Sequence, residues 1–233
     1  MELMISEGIR RRNLRADEDG DARLTAGFVT AGALTFIILA VVLFTDVPTI
    51  GPNEGELAPN LIGKVHMSGS SSWDDFELYE EIDHDWSNES DSDSKWFLIQ
   101  FMDTDCGHCW SYAEQMSLID DAFSSHLTII SIAVSLQIPN HDSSREEIVA
   151  FQDKASLQSC NGGDSDCASR PGEAHNWAYF DDLLGSNMDP WGVQGTPFVV
   201  VIQPDGIVAW NQAQHAGVDV SQALFTLLPT PEE

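Results

Sequence analysis

Basic residues are scarce in this chain of 233 residues: ten lysines and arginines stand against 38 aspartates and glutamates, for a formal net charge of −28. Half of the basic residues are arginines within the first 23 positions, and the other five are isolated. A surface so acidic repels the phosphates of nucleic acids, and no basic patch is present to bind them. Nucleic-acid binding is therefore excluded. Solubility or a cation-rich habitat explains the charge, with docking to cationic partners as the alternative.

Patterns that mark several other functions are also missing. The sequence contains no glycine-rich phosphate loop and no serine–histidine–aspartate constellation. Six of its seven histidines are scattered without the spacing of metal ligands: His66, His84, His126, His141, His175 and His215. We therefore predict neither a metal site nor a dissociable cofactor.

Only four cysteines occur, and two of them form a Cys-x-x-Cys motif, Cys106 and Cys109. The apolar run Trp96–Met102 before them predicts a buried strand, and a helical pattern follows them. Strand, loop and Cys-x-x-Cys at a helix start are typical of a redox motif, although an inert disulfide is the alternative. A helix N-terminus lowers the pKa of a thiol placed there. We expect Cys106 to attack as a thiolate and Cys109 to resolve the mixed disulfide.

These residues resemble the thioredoxin superfamily. Cys106-Gly107-His108-Cys109 is similar to the active-site tetrapeptide of protein disulfide isomerase domains, and Gly195-Thr196-Pro197 with the run Phe198–Ile202 is similar to the cis-proline loop. The downstream half is most similar to membrane-anchored TlpA/ResA-type thioredoxins. The resemblance implies a thioredoxin-like α/β fold, a central mixed sheet flanked by helices, with an N-terminal extension and a helical insertion. It also implies that Thr196 and Pro197 position substrate cysteines, and that the Cys106–Cys109 disulfide itself carries the electrons.

The motif departs from the family pattern in three places. Gln100 stands where many thioredoxins hold a buried carboxylate, and it cannot ionise. Asp105 replaces the aromatic residue before the first cysteine, and Met102 replaces an aromatic residue after the strand's phenylalanine. We expect Asp105 to lie in a loop with access to water and to disfavour the thiolate. His108 is expected to oppose it, because an imidazolium stabilises the Cys106 thiolate.

A run of 21 uncharged residues, Leu24 to Phe44, is long enough to span the hydrocarbon of a bilayer. Five arginines precede it, and the next basic residue is Lys64, so the positive-inside rule places the N-terminus in the cytoplasm. We predict a single-pass protein of the cell membrane whose redox domain lies outside. The predicted segments are a cytoplasmic tail (1–23), a transmembrane anchor (24–44), a linker (45–58), a thioredoxin-like domain (59–229) and a tail (230–233). Asn88 lies in a glycosylation sequon.

The other two cysteines, Cys160 and Cys167, bracket a glycine-rich loop. Outside the cell they are expected to form a structural disulfide, with a second redox pair that relays electrons as the alternative. Further elements are predicted as follows: a strand at Leu61–Met67, a strand or short helix at Trp73–Ile82, a strand at Leu127–Leu136, a helix from Arg145 to about Ala155 with a Ser144/Glu147 capping box, a short strand at Asn176–Phe180 and a helix at Ser221–Leu228.

The function that the sequence predicts is thiol–disulfide exchange with protein cysteines of secreted or membrane proteins, served by an unidentified membrane partner that donates or accepts electrons. Two alternatives use the same residues: a copper(I)-delivery protein holding the ion between Cys106 and Cys109, and a non-catalytic binding module. The physiological direction stays open at this point. His108 favours an oxidising couple on the order of −200 mV, whereas the TlpA-type resemblance favours reduction.

Overall fold

The computed structural model describes residues 25–40, 48–87, 94–136, 138–139 and 141–228. The chain divides into two compact units, Met1–Val47 and Pro48–Glu233. The predicted tails at 1–23 and 230–233 and the sequon at Asn88 lie outside the described residues.

Helix α1 is described over residues 25–40, and nearly all of its side chains are exposed. The exposed fractions of Phe28 and Phe36 are 74% and 75%. In the parts of the chain that the structure describes, no helix combines the length and the apolar character needed to cross a membrane. The anchor predicted at 24–44 extends beyond the described part of this helix at both ends.

The second unit alternates strands and helices. Its strands are β1 (Ile62–His66), β2 (Trp73–Glu77), β3 (Trp96–Met102), β4 (Leu127–Ala133), β5 (Gln158–Cys160), β6 (Ser165–Asp166), β7 (Ala178–Asp181), β8 (Phe198–Ile202) and β9 (Val208–Asn211). Its α-helices are α2 (Leu78–Glu81), α3 (Gly107–Phe123), α4 (Arg145–Asp153) and α5 (Val220–Leu227), and short 3-10 helices lie at Cys167–Ser169 and Gln212–Gln214.

Seven strands form one mixed sheet in the order β2-β1-β7-β4-β3-β8-β9. The central strands β7, β4 and β3 run parallel, whereas β8 and β9 continue the sheet antiparallel on one side and β1 and β2 on the other. Strands β5 and β6 pair separately. This architecture confirms the predicted mixed α/β, thioredoxin-like sheet flanked by helices.

Strand β3 occupies the centre of the sheet, and all seven of its residues are buried. Successive side chains of a strand point to opposite faces. Leu98 and Met102 accordingly join the core packed against α3, α4 and α5, whereas Ile99 and Phe101 join a second core on the other face. A run buried on both faces reads as continuously apolar, which is why the sequence predicted this strand well.

Most predicted elements are present, with informative differences. The segment Trp73–Ile82 is both alternatives in turn, because strand β2 runs directly into helix α2. The predicted short strand is β7, and it lies between β1 and β4 at the middle of the sheet. The insertion, the segment between β4 and β8, thus contributes a strand to the sheet itself, which the local sequence pattern could not show.

Residues 48–58, within the segment predicted as a linker, pack against the domain. The backbone N–H of Gly55 donates to the carbonyl of Val208, and the N–H of Val208 donates to Glu56, both at 2.9 Å. Ala58 is fully buried. The prolines and glycines of this segment form turns. Backbone groups of these turns form hydrogen bonds with strand β9 of the domain.

Candidate active site

The Cys-x-x-Cys motif lies at the start of helix α3, after the short loop that follows strand β3. Cys106 is the N-cap of α3, and its sulfur accepts a hydrogen bond of 3.4 Å from the backbone N–H of Cys109. Both residues are free cysteines; Cys106 is partly exposed, and Cys109 is buried. The predicted arrangement, an accessible sulfur at the helix N-terminus with a sheltered one a turn later, is the one that the structure shows.

The two thiols have opposite acid strengths. The hydrogen bond from the Cys109 side chain, against the effect of burial, lowers the pKa of Cys106 to about 5. Burial raises the pKa of Cys109 well above its usual range. Cys106 is therefore charged at neutral pH, whereas Cys109 keeps its proton. Because the thiolate is the nucleophile, Cys106 is the sulfur that attacks.

The segment before β8 closes the site from the other side. The Thr196–Pro197 peptide bond is cis, and the Cys106 sulfur lies 3.3 Å from the Thr196 carbonyl oxygen. The buried Thr196 hydroxyl has no partner at hydrogen-bonding distance among the described residues. The structure therefore brings the four predicted residues Cys106, Cys109, Thr196 and Pro197 together.

His108 lies in the first turn of α3, between the two cysteines. Its side chain is exposed. The largest cause of the lowered pKa of Cys106 is the hydrogen bond from the Cys109 side chain. The backbone N–H of His108 makes a smaller contribution in the same direction. The contribution that the structure assigns to His108 thus comes from its position in the first turn of α3.

Gln100 is buried in β3, as a residue in place of the family's carboxylate should be. Its side-chain oxygen accepts a hydrogen bond of 2.9 Å from Ser131, which in turn accepts one of 2.9 Å from the indole N–H of Trp177. The position is therefore filled by a neutral, hydrogen-bonded network.

The prediction that Asp105 turns towards water is wrong, because only 6% of the residue is exposed. Its carboxylate accepts hydrogen bonds from the backbone N–H of Gly162 at 2.8 Å and from the Ser143 hydroxyl at 3.0 Å. It also lies 3.2 Å from the His141 ring nitrogen. The loops of the insertion fold over Asp105 and supply donors that local sequence could not reveal.

Glu147 is a site residue that sequence reasoning missed. Ser144 caps α4 by accepting from the backbone N–H of Glu147 at 3.2 Å, but the Glu147 side chain turns inward and is fully buried. It accepts hydrogen bonds from Thr104 and Ser159 and lies 3.2 Å from His141. Burial, together with the charge of Asp105, raises its pKa. The capping-box pattern gave this glutamate a local role and so hid the tertiary one.

Asp105, His141 and Glu147 each present one atom of a metal-ligating type, and these atoms lie within 4.8 Å of one another. Every carboxylate oxygen of the set, however, already accepts a hydrogen bond within the protein. These residues form one hydrogen-bonded network.

The second cysteine pair lies beside the first. The sulfurs of Cys160 and Cys167 are 2.06 Å apart, forming a disulfide, and both residues are fully buried. In the loop that the disulfide closes, the backbone N–H of Asn161 donates to the carbonyl of Thr104 at 3.0 Å. A Cβ atom placed on Gly107 would lie 3.7 Å from the Asn161 side-chain oxygen, which is van der Waals contact. The closed loop thus packs directly against the active-site turn.

Trp191, in the segment before the cis-proline loop, belongs to the core. It is fully buried, and its ring centroid lies 5.8 Å from that of Phe101.

No protein-family model and no curated protein matches the sequence. Solved structures with similar folds include the thioredoxin domain of a thiol-disulfide oxidoreductase from Bacteroides vulgatus, at 14% identity and a TM-score of 0.49, covering 76% of this chain and 99% of that one. A 2-Cys peroxiredoxin from Plasmodium vivax is 18% identical, with a TM-score of 0.48 and coverage of 73% and 78%. The exposed lipoprotein thioredoxin Etrx1 of Streptococcus pneumoniae is 12% identical, with a TM-score of 0.46 and coverage of 72% and 100%.

At this level of similarity the neighbours carry no argument about the chemistry of this chain. The observations that do are internal: the strand order around β3, the cysteine pair at the start of α3 and the cis Thr196–Pro197 bond beside it. Together they give the described residues between 48 and 228 a thioredoxin-like fold with a Cys-x-x-Cys site.

Proposed function

We propose that this protein is a thiol–disulfide oxidoreductase that exchanges disulfides with cysteines of other proteins. The observation that carries the proposal is the pairing of an accessible Cys106, whose pKa is lowered to about 5, with a buried, protonated Cys109. An inert disulfide needs no such asymmetry. An exchange reaction needs it, because one sulfur must attack and the other must wait.

The chemistry proceeds in two steps. The Cys106 thiolate attacks one sulfur of a substrate disulfide, forming a mixed disulfide and releasing the other substrate sulfur as a thiolate. Cys109 then loses its proton and attacks the Cys106 sulfur. The Cys106–Cys109 disulfide forms, and the second substrate thiolate leaves with the electron pair. Run in reverse, the same steps oxidise a substrate dithiol. Thr196, whose carbonyl oxygen lies 3.3 Å from the Cys106 sulfur, and the adjacent Pro197 hold the substrate segment in place.

The lowered pKa of Cys106 favours the oxidising direction. A low thiol pKa stabilises the reduced form and so makes the disulfide a stronger oxidant. The value of about 5 for Cys106 lies between the thiol pKa values of about 7 in thioredoxin and about 3.5 in DsbA. We propose oxidation or isomerisation of protein cysteines, with a potential above about −270 mV, the value of thioredoxin.

We further propose that the redox domain is tethered outside the cell membrane by residues 24–44, with residues 1–23 in the cytoplasm. Support comes from the 21 uncharged residues of this run, the five arginines before it and the exposed apolar side chains of α1. Substrates are then secreted or membrane proteins, and a membrane partner renews the redox state. An oxidising compartment also suits a persistent Cys160–Cys167 disulfide.

Catalysed turnover tests the proposal. The domain should accelerate insulin reduction by dithiothreitol, and Cys106→Ser should abolish the acceleration, while Cys160–Cys167 stays intact in both. A wild-type domain without turnover that binds stoichiometric copper(I) would support the delivery function. One with neither activity would support a binding module.

A further inference from the structure

Resolution of the mixed disulfide requires Cys109 to lose a proton, and the chain lacks the usual group to take it. Cys109 is only 1% exposed, and burial raises its pKa. Gln100 cannot ionise. If the proposed function holds, on which this inference rests, the proton must leave through other residues.

Asp103 is the carboxylate built into the turn between the strand and the cysteines. It is fully buried, and its carbonyl accepts the backbone N–H of Cys106 at 3.1 Å. Burial raises the pKa of Cys109, and the backbone N–H of Asp103 opposes that effect, so this residue borders both cysteines. The carboxylate accepts the backbone N–H groups of Asp105 at 2.9 Å and of Leu136 at 2.7 Å.

A continuous set of polar side chains leads away from Asp103. The Ser143 hydroxyl lies 3.4 Å from one Asp103 oxygen and 3.0 Å from an Asp105 oxygen. The His141 ring nitrogen lies 3.2 Å from that same Asp105 oxygen. It also lies 3.2 Å from Glu147. The exposed fractions of the Asp105 and Glu147 side chains are 2% and 0%, whereas that of His141 is 20%. His141 is therefore a partly exposed group through which this network reaches solvent.

The three carboxylates of this network are crowded, and the basic group that contacts two of them is His141. Among the described residues, no lysine or arginine forms an ion pair with any of them; the two such pairs present involve Asp75 and Asp181. Burial is the largest cause that raises the pKa of both Asp103 and Glu147, and the charge of Asp105 raises both further. Like charges this close in a buried site disfavour one another's ionisation, so the network is suited to taking up and releasing protons.

We propose that Asp103, Asp105 and Glu147, joined by Ser143 and His141, form a proton relay that serves the Cys106–Cys109 couple in place of the carboxylate missing at position 100. When Cys109 attacks Cys106 in the mixed disulfide, the new S–S bond forms and the substrate thiolate departs with the electron pair. The Cys109 proton passes to Asp103 and onward through Ser143, Asp105 and His141 to water. In the oxidising direction the proton travels back.

The groups that face this relay come from every element packed against it. The active-site turn contributes Thr104 and Cys106, strand β5 contributes Ser159, and the disulfide-closed loop contributes the N–H of Gly162. Of these only Cys106 titrates. A pH dependence that changes with Asp103 or His141 can therefore be separated from one that follows the Cys106 thiolate.

The test is the rate of mixed-disulfide resolution against pH. The domain, with Cys106 linked to glutathione, is monitored for release of glutathione between pH 5 and pH 9 in wild type, Asp103→Asn and His141→Gln. Asp182→Asn is the matched control, because burial also raises the pKa of Asp182, which lies outside the network and accepts from the backbone of Ser186 and Asn187. Alkylation of Cys106 is followed in parallel to track its thiolate.

We expect Asp103→Asn to slow resolution on the order of 100-fold at neutral pH and to approach wild type at high pH, where hydroxide accepts the proton. His141→Gln should shift the profile in the same direction, and Asp182→Asn should leave it unchanged. Wild-type profiles in both network variants would overturn the relay. If Asp103→Asn does not fold, the partly exposed His141→Gln decides alone. A wild type that never resolves the mixed disulfide would instead contradict the proposed function.

Discussion

The carboxylate of Asp105 accepts a hydrogen bond of 2.8 Å from the backbone N–H of Gly162. This contact joins the residue before the attacking cysteine to the loop closed by Cys160–Cys167. Because Asn161 also donates to Thr104, the active-site turn and the loop are connected at two adjacent points. The second cysteine pair therefore supports the geometry of the first.

The two cysteine pairs should differ in their resistance to reduction. Cys160 and Cys167 are fully buried, whereas Cys106 is partly exposed, so a reductant reaches the active-site disulfide first. Mass spectrometry after graded reduction should show Cys106–Cys109 open while Cys160–Cys167 persists. Opening of both pairs at the same reductant concentration would favour the electron-relay alternative.

Removing the Cys160–Cys167 disulfide should destabilise the domain. The bridge closes a loop over a sequence separation of 7 residues, for which loss of chain entropy in the unfolded state corresponds to about 2 kcal/mol. Urea denaturation of a Cys160→Ala, Cys167→Ala double variant measures the loss in the free energy of unfolding. An unchanged midpoint would show that the loop is held by its contacts alone.

The pKa of Cys106 should depend on the side chain at position 109. The hydrogen bond from the Cys109 side chain is the largest cause of the lowered value of about 5. Cys109→Ala removes this donor and should raise the pKa, while Cys109→Ser keeps a hydroxyl donor and should raise it less. The pH dependence of iodoacetamide alkylation gives the midpoint for each variant. Equal midpoints in all three proteins would show that the helix terminus dominates.

His175 should make the domain acid-sensitive. Burial, with the charge of Arg170 in addition, lowers its pKa to about 3 from a usual 6.5. Between these values the unfolded chain binds a proton that the folded protein does not, so stability falls as the pH falls from about 6.5 towards 3.

The measurement for His175 compares urea denaturation at pH 7 and pH 5. The loss on acidification should be smaller in His175→Gln than in wild type by on the order of 2 kcal/mol. The comparison between variant and wild type cancels the contributions of other groups. An identical loss in both proteins would mean that His175 takes up its proton in the folded state.

The sequence predicted the elements whose signals are local and missed those that depend on packing. Strand β3 and the cysteines at the start of α3 follow from a continuous apolar run and a motif. The burial of Asp105 depends on Gly162, 57 positions away. His141 looked like one of several scattered histidines, because only the folded insertion brings it to Asp105 and Glu147. Strand β7 was recognisable as a strand, but its place beside β4 was not.

The proposed topology predicts the outcome of proteolysis of intact cells. Protease added outside should degrade the domain beyond residue 46 and spare an epitope tag on residues 1–23, because the anchor would separate the two sides. Cells opened with detergent are the control in which both are cleaved. Protection of the domain in sealed cells would place its thiols in the cytoplasm and reverse the proposed orientation.

Disulfide trapping in the host tests the central claim most directly. In Cys109→Ser the mixed disulfide on Cys106 cannot be resolved by its own partner, so substrate proteins should accumulate in a covalent complex that dithiothreitol releases. Cys106→Ser, matched in every other residue, should trap none. If Cys109→Ser captures no more protein than Cys106→Ser, then Cys106 does not exchange disulfides with other proteins, and the oxidoreductase account is contradicted.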